Sequence, residues 1–339
     1  MAAMTSPANR TPLPHVVVLG TGGTIAGSGA AAADTSYVAG VIDVGSLVRA
    51  IPGIDALARI DYRQICQIDS CDMDFARQLQ IGDVVRGTLA DPDVDAVVLT
   101  HGTDTMEETA YLLHLTISSD KPIVLVGAMR PADAISADGP GNLLAAVATA
   151  ASPLSRGCGV LVVLDDQIHS ARHLTKKHTT RVGAFGSTHG PIGEIVARRP
   201  RFHTQPLRRY GADSMFADAP ITNLPPVEII VGRAGMPPAL LAAVIASGAA
   251  GLMYVGHGHG TVPVDVQDLL AQAATEGLAI VRTTRVAGGT VARNGAVPDD
   301  RLGLIAGDDL GAEKGRILLA LALTHTRDPL QIQQIFDTH

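Results

Sequence analysis

Short apolar runs rich in β-branched residues recur along this chain, and each run ends in glycine or a polar turn. Such runs are typical of strands that are buried on both faces in an α/β protein. They occupy residues 15–19, 96–99, 122–126, 160–164, 227–231, 251–255 and 278–281. Helical stretches lie between them at residues 106–115, 142–150, 238–245 and 266–274. This alternation predicts an α/β fold in which right-handed crossovers join parallel strands.

The length of the chain and one change of composition indicate two domains. At 339 residues the chain exceeds the size at which a single hydrophobic core usually keeps growing. Apolar periodicity is lost before Val227, where arginine, proline, histidine, aspartate and asparagine prevail. We therefore expect a larger α/β domain with a mixed sheet at 1–204, a linker at 205–226 and a smaller doubly wound parallel-sheet domain at 227–339.

Charge and composition argue against several classes of protein. The formal net charge of -7 is spread along the chain, whereas nucleic-acid-binding proteins concentrate lysine and arginine on one face. The uncharged stretch 239–258 is interrupted by Ser247, Gly248 and Gly251, so we expect no membrane insertion. The N-terminal segment lacks the apolar stretch of a secretory signal, which indicates a cytoplasmic protein. An odd number of cysteines, three, predicts free thiols.

The first strand runs directly into a glycine-rich turn, Gly-Thr-Gly-Gly-Thr-Ile-Ala-Gly at residues 20–27. Ligands of open α/β sheets bind at such carboxyl ends of strands. A dinucleotide-binding pattern would require glycine where Ile25 stands, and no Gly-Lys-Ser/Thr phosphate loop occurs in the chain. Thr24 is therefore a candidate functional residue. The alternative is a tight turn in which Thr24 only satisfies backbone donors.

A second strand leads into His-Gly-Thr-Asp-Thr-Met-Glu-Glu-Thr-Ala at residues 101–110. Thr105 and Glu108 have the spacing of a capping box, which predicts that a helix begins there. Thr103 and Asp104 would then lie at a helix N-terminus, whose free N–H groups and dipole suit an anionic substrate or a developing oxyanion. The alternative is that Asp104 and Thr105 are helix caps without a further role.

Together these two segments resemble the signature segments of bacterial L-asparaginases, which belong to the asparaginase/glutaminase superfamily with a threonine nucleophile. The resemblance continues through residues 126–131, 136–140, 142–143, 174–176 and 328–336, so it covers nearly the whole chain. It implies hydrolysis of L-asparagine to L-aspartate and ammonia without a cofactor. It also implies a homotetramer.

The resemblance also implies catalytic roles for five residues. Thr24 would attack the side-chain amide carbon to form a β-acyl-enzyme, and Tyr37, on a mobile loop with small residues at 30–33, would activate or orient Thr24. Thr103, Asp104 and Lys176 would form the second half of the site. Lys176 must lose its charge to act as a base, which requires burial or neighbouring cations.

Four residues are implied in substrate binding besides Thr103. Ser70 matches the family position that binds the α-carboxylate, Asp104 would pair with the α-ammonium, and Ala128 lies in a matching segment. Cys71 stands where periplasmic-type members carry glutamine. The acidic residue that a neighbouring subunit supplies in some relatives falls near Val297. If both contacts are absent, ammonium affinity should drop and glutamine should fit less well.

Five histidines form two groups that could suggest a metal site. His169, His173 and His178 lie close together, and His257 and His259 flank one glycine. None of them forms a motif with matching carboxylate or cysteine ligands. We therefore expect no metal.

Other functions share parts of this pattern. An amidase subunit that supplies ammonia for tRNA transamidation carries similar motifs but has an extra N-terminal domain, whereas only about a dozen residues precede the first strand here. A glutaminase-asparaginase of broad specificity would turn over both amides. A catalytically silent amino-acid sensor would lose the nucleophile or the base, and all of the implied catalytic residues are present.

Overall fold

The structure is a computed structural model that describes residues 12–29, 37–217 and 221–339. Within these ranges the strands are β1 (His15–Gly22), β2 (Ser28–Gly29), β3 (Tyr37–Val38), β4 (Arg59–Ile68), β5 (Ala96–Thr100), β6 (Ile123–Val126), β7 (Val160–Leu164), β8 (Gln167–Ser170), β9 (Leu174–Lys176), β10 (Phe185–Ser187), β11 (Gly193–Val196), β12 (Arg199–Phe202), β13 (Val227–Val231), β14 (Gly251–Gly256), β15 (Ala279–Thr284) and β16 (Ile305–Ala306). The α-helices are α1 (Val44–Arg49), α2 (Phe75–Leu89), α3 (Met106–Thr116), α4 (Gly139–Ala150), α5 (Pro238–Ile245), α6 (Val264–Thr275), α7 (Asp299–Leu302), α8 (Ala312–Ala322) and α9 (Pro329–Thr338).

Eight of the described strands form one mixed sheet in the order β12-β11-β8-β7-β6-β5-β1-β4. The strands β4, β1, β5, β6 and β7 pair in parallel. The sheet then continues with antiparallel pairs through β8, β11 and β12. This arrangement confirms the expected mixed sheet. It also brings the carboxyl ends of β1, β4, β5 and β6 to one edge.

The central strands of this sheet are buried on both faces, as their continuous apolar sequences predict. In β1, Val16 and Val18 pack in one core together with residues of α4. Val17 and Leu19 pack in the opposite core with residues of α2 and α3. Alternate side chains of a strand point to opposite faces, so one apolar run fills both cores.

A second sheet follows in the C-terminal part, where the described strands pair in parallel in the order β13-β14-β15-β16. Leu252 and Tyr254 face a core covered by α5 and α6. Met253 faces the opposite core, which α8 and α9 cover. Helices therefore cover both faces, which confirms the smaller doubly wound domain. Tyr111 and Leu112 of α3 belong to the second of these cores and tie the two sheets together.

The predicted strands and helices agree with the structure to within about three residues at each end. The other elements were not predicted: the strands β2, β3, β4, β8, β9, β10, β11, β12 and β16 and the helices α1, α2, α7, α8 and α9. Cys66, Cys71 and Cys158 are free thiols, as expected. No helix in the described ranges is long and apolar enough to cross a membrane.

Four histidines are held uncharged by burial. Burial lowers the pKa of His101, His169 and His173 to about 4. Burial, reinforced by the nearby charge of Arg172, lowers the pKa of His114 to about 3. In the unfolded chain a histidine titrates near 6.5, so the unfolded state binds more protons between that value and the folded pKa. This part of the stability is therefore complete above about pH 6.5 and is lost as the pH falls toward 4.

A variant can isolate the contribution of His114, whose ring accepts a hydrogen bond from the Val160 N–H at 3.0 Å. We expect the difference in unfolding free energy between the wild type and His114→Gln to shrink by about 2 kcal/mol from pH 7 to pH 5. Urea denaturation of both proteins at the two pH values measures this change. Other groups titrate in both proteins and cancel. A difference that stays constant would contradict the neutral buried state of His114.

Candidate active site

The polar residues singled out in the sequence follow the carboxyl ends of neighbouring parallel strands. Thr24 follows β1, Ser70 follows β4, Thr103 follows β5 and Ala128 follows β6. All four residues are at least nine-tenths buried. Lys176, the last residue of β9, reaches the same group through its side chain. The structure therefore brings most of the predicted site residues to one edge of the large sheet.

Two glycines allow the β1 and β5 turns to meet. Gly23 has a φ of 78°, which a side chain disfavours, and a Cβ placed on it would collide with the backbone of Gly102. A Cβ on Gly102 would collide in turn with the Ser70 side chain. The backbones that precede Thr24 and Thr103 are therefore in direct contact. Glycine is required at both positions by this close approach.

The Thr24 hydroxyl is paired with a phenol. Its Oγ1 lies 2.7 Å from the Tyr37 Oη, with either atom able to donate the hydrogen bond. Tyr37 is the first residue of β3, which forms a two-stranded hairpin with β2, and its ring packs against Gly27. Residues 30–33, for which the sequence predicts mobility, lie outside the described residues. Among the described residues, Tyr37 is thus the side chain hydrogen-bonded to the Thr24 hydroxyl, and its phenol can take or supply a proton there.

Lys176 links the second threonine to a carboxylate. Its Nζ donates hydrogen bonds to Thr103 Oγ1 at 2.9 Å and to Asp104 Oδ1 at 2.6 Å. The Lys176 side chain is 21% exposed and that of Asp104 is 55% exposed. The predicted partial burial of Lys176 is therefore present, and the nearest charge is an anion. The arrangement is a chain of hydroxyl, amine and carboxylate.

Ser70 ties the β4 turn to the start of α3. Its Oγ accepts a hydrogen bond from the Asp104 N–H at 3.1 Å, and its carbonyl accepts one from Thr105 Oγ1 at 2.8 Å. The capping-box prediction is therefore wrong in its bonds, although Thr105 is the N-cap residue of α3. Glu108 instead accepts a hydrogen bond from the guanidinium of Arg316 in α8 at 3.1 Å. Thr105 and Glu108 therefore each bond a residue distant in the chain instead of forming a local helix cap.

The loop that carries Ala128 is held from behind by two polar side chains. Asp138 accepts hydrogen bonds from the N–H groups of Met129 and Arg130 at 2.9 and 3.0 Å. Asn142 donates to the Gly127 carbonyl at 3.0 Å. These bonds fix the backbone on either side of Ala128. The sequence showed these residues only as part of the resemblance, without this role.

A buried lysine of the C-terminal part supports the strand that carries Lys176. Lys314 of α8 donates to the carbonyl of Leu174 and, at 3.1 Å, to Thr175 Oγ1. Its Nζ also lies 3.5 Å from the carboxylate of Glu107, in the first turn of α3. Lys314 therefore joins the segment of Lys176 to the helix that follows Asp104. Sequence reasoning missed this residue because nothing near it in the chain indicates its partners.

Cys71 and Val297 are the two positions at which the resemblance implied a departure from some family members. Cys71 is exposed beside the site, and the charge of Asp69, followed by desolvation and the charges of Asp72 and Asp104, raises the pKa of its thiol. A thiol in this environment is a poor nucleophile. Val297 is buried in the C-terminal core and offers no charge.

The site contains the groups that hydrolysis of an unactivated amide requires. Two buried threonine hydroxyls are each bonded to a group that can exchange a proton, and an exposed carboxylate lies next to them. Attack by a hydroxyl, proton transfer and stabilisation of an oxyanion are the three functions needed. The fold and the site together fit the class of amide-hydrolysing enzymes, here with an α/β architecture.

Comparison with known proteins gives the family. The family model described as Asparaginase, N-terminal matches residues 15–208, and the Glutaminase/Asparaginase C-terminal domain matches residues 226–336. L-asparaginase 2 of Escherichia coli (strain K12) is 41% identical over 96% of this chain and 94% of its own length. Glutaminase-asparaginase of Pseudomonas fluorescens biotype A is 40% identical over 96% of this chain and 91% of its own length.

A solved structure agrees with these relatives. The crystal structure of a probable cytoplasmic L-asparaginase from Campylobacter jejuni superposes with a TM-score of 0.92 at 41% identity, covering 96% of this chain and 100% of that one. The chain therefore belongs to the asparaginase family and is an amidohydrolase. The resemblance found in the sequence is confirmed.

Proposed function

We propose that this amidohydrolase converts L-asparagine to L-aspartate and ammonia. Thr24 Oγ1 attacks the side-chain amide carbon, the proton of its hydroxyl is transferred to the amide nitrogen, and the C–N bond breaks to release ammonia. A β-acyl ester on Thr24 remains, and attack by water then releases L-aspartate and restores the hydroxyl. The observation that carries this proposal is the 2.7 Å contact between Thr24 Oγ1 and Tyr37 Oη, at the turn that abuts the Thr103 segment.

Thr103, Lys176 and Asp104 form the other half of the proposed mechanism. Neutral Lys176 would accept a proton through Thr103, either during attack or when water hydrolyses the ester. The hydrogen bonds of Lys176 to Thr103 and Asp104, at 2.9 and 2.6 Å, support this order of transfer. The proposed mechanism includes an uncharged Lys176 at the moment when it accepts this proton.

The substrate would bind to polar residues at the same edge of the large sheet. The exposed carboxylate of Asp104 pairs with the α-ammonium. The Ser70 hydroxyl donates a hydrogen bond to the α-carboxylate while it accepts one from the Asp104 N–H. Thr103 and Ala128 line the place of the amide. A short amide has little apolar surface, so these charge-assisted contacts, each of about 1.5 to 3 kcal/mol, must supply most of the affinity.

Cys71 provides a test of the substrate assignment. We expect the purified enzyme to release ammonia from L-asparagine with a weak KM and to act on L-glutamine at least about tenfold less efficiently, because one contact to the ammonium is missing. In Cys71→Gln the new amide should lower the KM for L-asparagine by about tenfold. Steady-state ammonia release from both amides measures these values.

The matched control for this experiment is Cys71→Ala, which removes the thiol without adding a hydrogen-bonding group. Its KM should stay within about twofold of the wild type. A micromolar KM in the wild type, or equal efficiency with both amides, would overturn the proposed role of Cys71. Equal efficiency would favour a glutaminase-asparaginase, a function that the 40% identical Pseudomonas fluorescens enzyme carries in its name. No ammonia from either amide would favour the silent sensor.

The proposal extends to location and assembly. A cytoplasmic location is supported by the name of the Campylobacter jejuni structure, which is 41% identical. Self-association as a homotetramer is proposed because the sequence resemblance implies it, and it would bring a neighbouring chain to the site. We also propose domains at 1–204 and 227–339 with a linker at 205–226, because the large sheet ends at Phe202 and the small sheet begins at Val227.

A further inference from the structure

Two histidines and a carboxylate meet where the large-sheet part of the chain contacts the small-sheet part. His173 precedes β9, His189 follows β10, and Asp309 follows β16. One ligand-type atom from each side chain lies within 4.8 Å of the other two. These residues are outside the proposed catalytic machinery. His173 was considered in the sequence, whereas His189 and Asp309 were not, because neither lies close to His173 in the chain and Asp309 lies 120 residues beyond His189.

The distances within this cluster fit a small ion. Asp309 Oδ2 lies 3.4 Å from His189 Nε2 and 4.0 Å from His173 Nδ1. Ligand atoms of a tetrahedral zinc ion are roughly 3.3 Å apart, given metal–ligand bonds of about 2.0 to 2.1 Å. The His189 side chain is 65% exposed, so it can move by the fraction of an ångström that is needed. The same three atoms can therefore close around one ion.

Arg172 fixes the carboxylate without blocking it. Its Nη2 lies 2.8 Å from Asp309 Oδ1, whereas the histidines face Oδ2. An outer partner of this kind orients a metal ligand, although its positive charge also weakens cation binding. His173 and Asp309 line a cleft of about 530 Å³ between the two parts of the chain, which gives an ion a path from solvent.

We propose that His173, His189 and Asp309 bind one divalent transition-metal ion of the zinc class and thereby clamp the two sheets together. Two imidazoles and one carboxylate leave a fourth position for water in a tetrahedral ion. The ion would stabilise the junction beside β9. This proposal does not rest on the proposed function.

Cobalt(II) titration of the full-length, tag-free protein, after dialysis against EDTA, tests the proposal. We expect one Co²⁺ per chain, seen as the visible absorption of a tetrahedral complex that Zn²⁺ displaces. Dissociation constants should rise by at least about tenfold in both His173→Gln and His189→Gln. Zn²⁺ should also raise the unfolding temperature of the wild type and leave that of His189→Gln unchanged, because only a folded state with the site gains from binding.

His203 supplies the matched control. Its imidazole is 53% exposed and lies 3.6 Å from Glu194, so the two residues form a surface histidine–carboxylate pair. His203→Gln should bind Co²⁺ as the wild type does. The proposal is overturned if the wild type gives no tetrahedral absorption, if the dissociation constant is unaffected by His189→Gln, or if His203→Gln weakens binding as much as His189→Gln does.

Discussion

Thr24→Val is expected to lower kcat/KM for L-asparagine by on the order of 10⁴-fold or more, because the proposed nucleophile is lost. Valine has nearly the volume of threonine, and the side chain of Thr24 is 7% exposed, so the fold should tolerate the change. The contact with Tyr37 Oη at 2.7 Å disappears with the hydroxyl. Ammonia release by purified wild type and variant, at saturating and limiting L-asparagine, measures the loss.

A second buried threonine provides the control for this prediction. Thr149 lies in α4 and donates its hydroxyl to the Ala145 carbonyl at 2.8 Å, a bond within one helix. Thr149→Val makes the same chemical change at a buried site away from the strand ends, and its activity should remain close to that of the wild type. If Thr24→Val keeps more than about a tenth of the activity, the acyl-enzyme belongs to another group. Thr103 would then be the next candidate, because its hydroxyl already accepts a bond from Lys176.

Binding should separate loss of chemistry from loss of the substrate site. Asp104 contacts both Ser70 and Lys176, and neither contact uses Thr24. L-aspartate should therefore still bind to Thr24→Val with an affinity near that of the wild type. A variant that neither reacts nor binds would point to a damaged site and would leave the identity of the nucleophile to be tested with Thr24→Ser.

Strands with buried faces could be predicted from the sequence, and strands with exposed faces could not. The central strands carry uninterrupted apolar runs because both faces lie in a core. In contrast, β4 is the edge strand of the large sheet and contains Arg59, Asp61, Arg63 and Gln64. Its polar composition matches neither a buried run nor a regular alternation. The edge strands β11 and β12 are likewise partly exposed, whereas β8 is mostly buried and was missed because its short sequence is polar.

The candidate site was predictable where function depends on residues next to strand ends. Thr24, Thr103 and Asp104 stand in glycine-rich or polar turns directly after apolar runs, which is a local pattern. The residues that hold these turns are distant in sequence. Lys314 lies more than a hundred residues beyond Lys176, and Thr105 bonds Ser70 instead of its own helix. Long-range partners leave no trace in local periodicity, so only the fold reveals them.

The same limit applies to a buried ion pair in the C-terminal part. Arg282 of β15 and Asp299, the first residue of α7, are both 0% exposed and form a bidentate pair at 2.8 and 2.6 Å. The remaining N–H groups of Arg282 donate to the carbonyls of His259, Gly260 and Ala292. Every donor of the guanidinium is thus used. Arg282 organises the loops that follow β14 and β15 from inside the domain.

Arg282→Met should destabilise the protein by about 3 to 5 kcal/mol, because it leaves the Asp299 carboxylate buried without its counter-charge. The measurement is the change in urea midpoint at pH 7, at one protein concentration. The double variant with Asp299→Leu should be more stable than Arg282→Met, since it removes the orphaned charge. Arg293→Met is the control, because Arg293 pairs with Asp300 at 2.6 Å but is 37% exposed, and water can replace its partner. Equal losses in Arg282→Met and Arg293→Met, or a double variant no better than the single one, would mean that burial of the charge does not determine the cost.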